Sequence, residues 1–200
     1  ITCMLADPVP KIYTTLPGAS AIKMPSADIP DYDLAIVVDV ARFDRIGDVA
    51  KHIPANKKVL IIDHHLEEDP DGTSGFVDAS YAATGEIIVD LFSEAGKPLS
   101  PEAAHCAYVA QVTDTGGYRY SNTNARSHRI AASLLDAGVE HAEVCAEVFE
   151  CTSRAKMFLL RLILDRMEFR CDGQIATSYV SAQDIEGAGG KKEDLNGLVN

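Results

Sequence analysis

Asp63, His64 and His65 follow directly on the apolar run Val59-Leu60-Ile61-Ile62. A carboxylate beside two imidazoles can ligate a divalent metal or contact a phosphate. Two further carboxylates occupy comparable settings. Asp39 closes a second apolar run, Leu34-Ala35-Ile36-Val37-Val38, and Asp114 precedes Thr115-Gly116-Gly117. Asp39, Asp63, His64, His65 and Asp114 are therefore candidate metal ligands. Aspartate together with neutral imidazole suits manganese, magnesium, iron or zinc. Paired divalent ions sharing an anionic bridging oxygen are a standard route to phosphoester hydrolysis, since they lower the pKa of a bound water and clamp the attacking and leaving oxygens. Each residue also has a plainer use. An Asp after a strand commonly caps a helix or makes a turn, and His52, His105, His128 and His141 read as ordinary surface or core histidines.

These residues need rigid supports, and the flanking pattern supplies them. Short continuous runs rich in Val and Ile are typical of buried parallel strands, and ligands of open α/β sheets collect at the strand tips. Residues 44–53 are helix-compatible, with Ile46, Val49 and Ile53 on one face. Strand, helix and strand within about thirty residues make a βαβ unit with Asp39 and Asp63 at the same sheet edge. Residues 6–33, with prolines at 8, 10, 17, 25 and 30, read as a long connection with short turns. A polar loop, Glu67-Glu68-Asp69-Pro70-Asp71-Gly72, follows the histidines, and Phe76 to Asp78 suit a short strand. Helices are expected over 83–95, from the Ser100-Pro101-Glu102 start to about Val112, and over 124–137, 140–150 and 153–169. The first of these carries Ile87, Ile88, Leu91, Phe92 and Ala95 on one face. Residues 174–181 alternate as a strand and 186–194 form a Gly, Lys and acidic loop.

Composition narrows the class. Hydrophobic residues make up 46% and charged residues 24%, ordinary for a globular protein, and no apolar run approaches the roughly twenty residues that cross a membrane. The net charge of −12 repels nucleic-acid phosphates at long range and argues against a non-specific duplex binder. It leaves room for a small phosphorylated substrate held through cations. Cys3, Cys106, Cys145, Cys151 and Cys171 are odd in number without a CxxC, which fits reduced thiols and a cytoplasmic protein.

Asp63-His64-His65 after a buried strand resembles the namesake motif of the DHH phosphoesterase family. Val37-Val38-Asp39, about two dozen residues upstream, resembles its second motif, and Thr113-Asp114-Thr115-Gly116-Gly117-Tyr118-Arg119-Tyr120-Ser121-Asn122-Thr123 its fourth. The last string is similar to the oligoribonuclease/pAp-phosphatase branch (nanoRNases). The resemblance runs from Asp7-Pro8-Val9-Pro10 to the terminal segment 193–200. It implies an α/β fold, a parallel sheet flanked by helices followed by the start of a second α/β domain. The expected division is 1–152 for the phosphoesterase domain, 153–170 for a connector helix and 171–200 for the opening of a substrate-binding domain.

The same resemblance implies roles. Asp39 would bridge two metal ions, manganese with magnesium as the alternative. His64 and Asp114 would ligate the second ion, and His65 would be the catalytic group that contacts or polarises the scissile phosphate. Asp63 would sit behind them, orienting a histidine as outer carboxylates do. Arg119 would reach a substrate phosphate, its plainer use being a surface salt bridge. Gly116 and Gly117 would permit the tight backbone next to Asp114. The implied reaction is hydrolysis of short oligoribonucleotides to mononucleotides, or of pAp to AMP. The implied partner is a short single-stranded RNA or nucleotide, with neither a membrane nor duplex DNA, and a homodimer is left open.

The family's first motif, a histidine and two aspartates after the first strand, has no counterpart here and would lie upstream of Ile1. Its C-terminal domain would continue past Asn200. The chain is accordingly read as a piece of a longer protein, incomplete at both ends, which alone would bind metal weakly and hydrolyse little. The alternatives are a cyclic- or linear-dinucleotide phosphodiesterase, an exonuclease of single-stranded DNA, or a non-catalytic nucleotide-binding module. Family II inorganic pyrophosphatase shares three motifs but fits the Gly116–Thr123 string poorly.

Overall fold

A computed structural model describes residues 1–26, 29–66, 74–150, 153–195 and 197–198. The acidic loop expected at 67–72 and Cys151 lie outside the described residues, as do Asn196, Val199 and Asn200 of the terminal segment. The described residues form two compact units, Ile1–Val148 and Phe149–Asn200.

The first unit is built on a three-stranded parallel sheet. Strands β1 (Leu34–Val38), β2 (Lys58–Asp63) and β3 (Ser74–Val77) lie in that order. The register pairs Val38 with Ile62 and Asp63 with Val77, and the Asp39 N–H continues the ladder to the Ile62 carbonyl at 2.9 Å. The Val/Ile runs pair because β-branched side chains pack well on a pleated surface. Val37, Ala41, Val59 and Ile61 form a buried cluster, with Phe43, Ile46 and Ile53 packed against it. The parallel pairing therefore brings the ends of all three strands to one edge. The helix expected over 44–53 is instead two 3₁₀ segments, Phe43–Arg45 and Gly47–His52. Gly47 opens the second of them at φ +57°, a left-handed value that no α-helix accommodates.

Three helices cover this framework: α1 (Thr84–Glu94), α2 (Pro101–Asp114) and α3 (Ala125–Asp136). Ser100 caps α2 by accepting from the Ala103 N–H with Pro101 at the first helical position. The helix continues two residues beyond Val112, so Asp114 is its last residue. Asn124 caps α3, accepting from the Arg126 and Ser127 amides. Ala104, Ala107, Tyr108, Val109 and Val112 of α2 form the main core with Ile130, Ala131 and Leu134 of α3. Gly85 lets α1 approach α2 closely, since a Cβ there would lie 2.9 Å from the Ala110 Cβ and 3.1 Å from the Ala107 carbonyl. The face expected from Ile87, Ile88, Leu91 and Phe92 is only partly used: Ile87 is buried, whereas Leu91 and Phe92 are exposed. Thr84 and Glu86 are buried in that first turn instead. The helix expected at 140–150 is α4 (His141–Cys145) running into a π-helical turn, Ala146–Glu150.

The second unit contains α5 (Arg154–Asp165), β4 (Glu168–Arg170), β5 (Ile175–Thr177) and α6 (Ala182–Gly187). Strands β4 and β5 are antiparallel, and β4 takes the residues expected to end the long helix. Ser181 and Asp184 form a reciprocal cap on α6, where a loop was expected from 186. Arg166 binds Asp184 through both guanidinium nitrogens, at 2.6 and 2.9 Å. Among the described residues no helix is long and apolar enough to cross a membrane.

Candidate metal centre

Asp39, Asp63, His64 and His65 present ligand atoms that all lie within 4.8 Å of one another at the tips of β1 and β2. Asp39 is the first residue beyond β1 and adopts φ +65°. Non-glycine residues rarely enter this left-handed region, and Asp and Asn do so most readily. The turn ends β1 at its tip, and the Asp39 carboxylate accepts a 2.7 Å hydrogen bond from the Thr84 hydroxyl at the start of α1.

Asp63 is 1% exposed and its Oδ1 accepts three hydrogen bonds: from the His64 amide at 2.7 Å, the His65 amide at 3.1 Å and the His65 Nδ1 at 2.7 Å. A buried carboxylate needs such partners. It serves both as a cap on the strand end and as the group that fixes the His65 ring. The His65 side chain remains half-exposed, and its ring lies 4.4 Å from that of His64.

His64 is the hub. Its Nδ1 faces the Tyr81 carbonyl at 3.4 Å. Its Nε2 lies 3.6 Å from Asp39 Oδ1 and 3.6 Å from Asp114 Oδ2. A backbone carbonyl on one ring nitrogen is the usual way an imidazole is oriented so that the other can ligate. With metal–donor distances of about 2.1 Å, two donors of one ion lie roughly 3.0 to 3.5 Å apart for right-angle to tetrahedral arrangements. His64 Nε2 thus stands close to that separation from each of the two carboxylate oxygens, and the O,N,O donor set suits manganese, magnesium or zinc chemically. Burial pushes Asp114 up to about 6, the neighbouring Asp39 charge adds to this, and the two histidines oppose it. Carboxylates gathered this closely repel one another, and a cation relieves that repulsion.

Asp114 is held by the glycine turn that ends α2. The Gly117 amide donates to the Val112 carbonyl at 2.8 Å, and the Arg119 and Tyr120 amides both donate to the Thr115 carbonyl. Gly116 (φ +57°), Gly117 (φ +69°) and Tyr118 (φ +65°) are all left-handed. Tyr120 lies so close over Gly116 that a Cβ there would be 2.4 Å from its ring. Asn122 ties the turn across the site, its Nδ2 donating to the carbonyls of Asp114 and Ala82 at 3.0 Å each. Arg119 donates from Nε to the Gly116 carbonyl at 2.6 Å, within its own turn.

The structure therefore brings together the five sequence-derived candidates, Asp39, Asp63, His64, His65 and Asp114. It adds residues that the sequence reading passed over: Thr84 on Asp39, the Tyr81 carbonyl on His64, and Asn122 on the turn. The Thr84 signal was faint, a hydroxyl at a helix start; the Tyr81 contact is through backbone and carries none.

Residues 7–111 match the DHH family, N-terminal domain. The chain is 29% identical over 195 residues to the bifunctional oligoribonuclease and PAP phosphatase NrnA of Thermus thermophilus, covering 98% of this chain and 58% of that protein. It is 39% identical over 118 residues to the protein of the same name from Mycoplasma pneumoniae, covering 58% of this chain and 36% of that protein. The chain thus spans little more than half the length of the first of these relatives. The crystal structure of an exopolyphosphatase-related protein from Bacteroides fragilis superposes with a TM-score of 0.90 at 23% identity, covering 98% of this chain and 61% of that one, which establishes the same fold.

Proposed function

The chain belongs to the DHH family, and from that premise we propose that it carries part of a metal-dependent phosphoesterase acting on short oligoribonucleotides and on pAp. The observation that supports this best is His64, whose Nε2 stands 3.6 Å from carboxylate oxygens of both Asp39 and Asp114 while Nδ1 is held at the Tyr81 carbonyl. The oligoribonuclease and PAP phosphatase relatives supply the substrate classes.

In this reading Asp39, His64 and Asp114 would hold a divalent ion, manganese or magnesium, and Asp39 would also serve a second. Divalent cations held there would supply Lewis acidity, acidifying water near neutral pH and screening the phosphoryl oxygens. The side chains of the protein do the positioning. Asp63 takes the Nδ1–H of His65, which leaves Nε2 of this half-exposed ring to meet a phosphoryl oxygen, donating when the ring is imidazolium. Arg119, in the turn after Asp114, is the proposed second phosphate contact. Residues from 171 onward, in the unit Phe149–Asn200, are assigned to the opening of a substrate-binding domain.

The test is hydrolysis by the full-length gene product with manganese, comparing a short RNA, pAp and a cyclic dinucleotide. Mononucleotide release from RNA and AMP release from pAp, both abolished by chelation, are expected. Preference for the cyclic dinucleotide, or turnover indifferent to chelator, overturns the reading.

A further inference from the structure

Glu86 is a fully buried carboxylate that the chemistry above does not use. It lies in the first turn of α1 and accepts from the Ala82 amide at 3.1 Å and from Gln111 Nε2 at 2.7 Å. Gln111, equally buried on α2, donates from the same nitrogen to the Ser127 carbonyl at 2.8 Å and accepts from the Tyr118 hydroxyl at 3.0 Å. Both groups are in the low-dielectric core, where a network with every member paired is rigid and one with a missing partner is costly.

The two ends of this chain of bonds fall on the segment that contacts Asp39 and His64 and on the turn that follows Asp114. At one end, Ala82 lies between Tyr81, whose carbonyl holds His64, and the segment leading to Thr84, whose hydroxyl holds Asp39. At the other end, Tyr118 belongs to the left-handed turn that follows Asp114, and its amide is tied to the Thr115 hydroxyl at 3.1 Å. Burial and the neighbouring Tyr108 hydroxyl push Tyr118 far above the usual phenol range, so it remains a donor at every working pH. Asn122 makes a second, exposed tie between the same two segments.

We infer that Glu86 is a positioning residue: through Gln111 and Tyr118 it fixes the distance between the 81–84 segment and the 114–118 turn, and so the spacing of the Asp39, His64 and Asp114 donors. This rests on the reading of those three residues as metal ligands. The residue types fit the task. A carboxylate accepts on both oxygens without choosing an orientation, whereas an amide at 86 must present its NH₂ either to the Ala82 amide or to the Gln111 NH₂, donor against donor. Glu86→Gln therefore breaks one bond of the network while preserving shape. A group bonded directly to a ligand is worth about 10- to 100-fold in metal affinity; Glu86 acts at least one bond further out, so a several-fold effect is expected.

The test measures manganese binding to the full-length protein by the loss of the free-ion electron paramagnetic resonance signal, without any turnover. Wild type, Glu86→Gln and Leu134→Ala are compared. Leu134 is a buried core residue of α3, and its truncation destabilises the fold without touching the network or the turn after Asp114. The expected result is at least threefold weaker binding in Glu86→Gln and an unchanged constant in Leu134→Ala. A loss of less than threefold in Glu86→Gln, or an equal loss in Leu134→Ala, overturns the inference. Absence of manganese binding in wild type overturns the metal-centre reading itself. Should Glu86→Gln fail to fold, Tyr118→Phe cuts the same chain at its other end; a loss of less than threefold there refutes the inference, and a larger one supports it.

Discussion

Gly116→Ala isolates what the turn after Asp114 requires of its backbone. Two costs are separable. Gly116 has φ +57°, and an L-residue in that region costs about 1 kcal/mol. The new Cβ would also lie 2.4 Å from Cζ of Tyr120 and 2.6 Å from both Cε atoms, closer than real Cβ contacts come. The ring is 46% exposed and has room to swing outward. Doing so gives up roughly 100 Å² of burial, which at about 25 cal/mol per Å² is at most about 2.5 kcal/mol. The whole change should therefore cost about 2 to 3 kcal/mol. Gly96 supplies the control, since it has φ +63° with nothing within 4 Å of an added Cβ. Gly96→Ala should cost only the backbone part, about 1 kcal/mol. Urea unfolding followed by circular dichroism reads both, and the double variant Gly116→Ala/Tyr120→Ala completes a cycle in which the ring contact disappears. Equal costs at 96 and 116, or additive effects in the cycle, would refute the reasoning that the Tyr120 ring is seated on a glycine.

Asp39→Asn, which tolerates the left-handed backbone at this position, should abolish metal-dependent hydrolysis while changing unfolding free energy by about 1 kcal/mol or less, because relief of carboxylate repulsion offsets lost contacts; unchanged turnover removes Asp39 from the site. Thr84→Val should weaken manganese binding several-fold and Thr84→Ser should restore most of it, since only the hydroxyl on Asp39 is at stake; isothermal titration separates the two. With chelator present, Asp114 titrates near 6 in the fold against about 3.9 unfolded, so the folded state holds its proton longer. The contribution of Asp114 to stability should then be fullest below pH 4, fall by on the order of 1 to 2 kcal/mol as pH rises to about 6, and stay level above, the full shift being discounted because the side chain is a third exposed. Asp114→Asn should flatten that decline, and a curve identical to wild type would count against the burial argument.

The strands were legible because their signal is local. Runs of Val and Ile stopping at a carboxylate announce a buried strand tip, and parallel pairing then places Asp39 and Asp63 side by side without further information. The Ser100-Pro101 start of α2 was legible for the same reason. Residues 43–52 misled because the apolar spacing of Ile46, Val49 and Ile53 fits a helix while Gly47 alone decides against one. The supports of the site were out of reach for a different reason. Thr84 meets Asp39 across 45 positions and Glu86 meets Gln111 across 25, and the acceptors at Tyr81 and Ala82 are backbone carbonyls, which every residue possesses. One trace was present: Glu86 is a charge next to Ile87 on a helix whose inner face is otherwise uncharged.

The left-handed backbone at Asp39 makes that position subject to two independent filters. Its torsion admits glycine, asparagine and aspartate with little strain; the metal chemistry proposed for the strand tip admits a carboxylate. Glutamate passes the second filter but not the first, and asparagine the first but not the second. Only aspartate lies in both sets, so drift at this position has no neutral neighbour to step to, whereas Asp63, in ordinary strand geometry, is restricted by its hydrogen bonds alone.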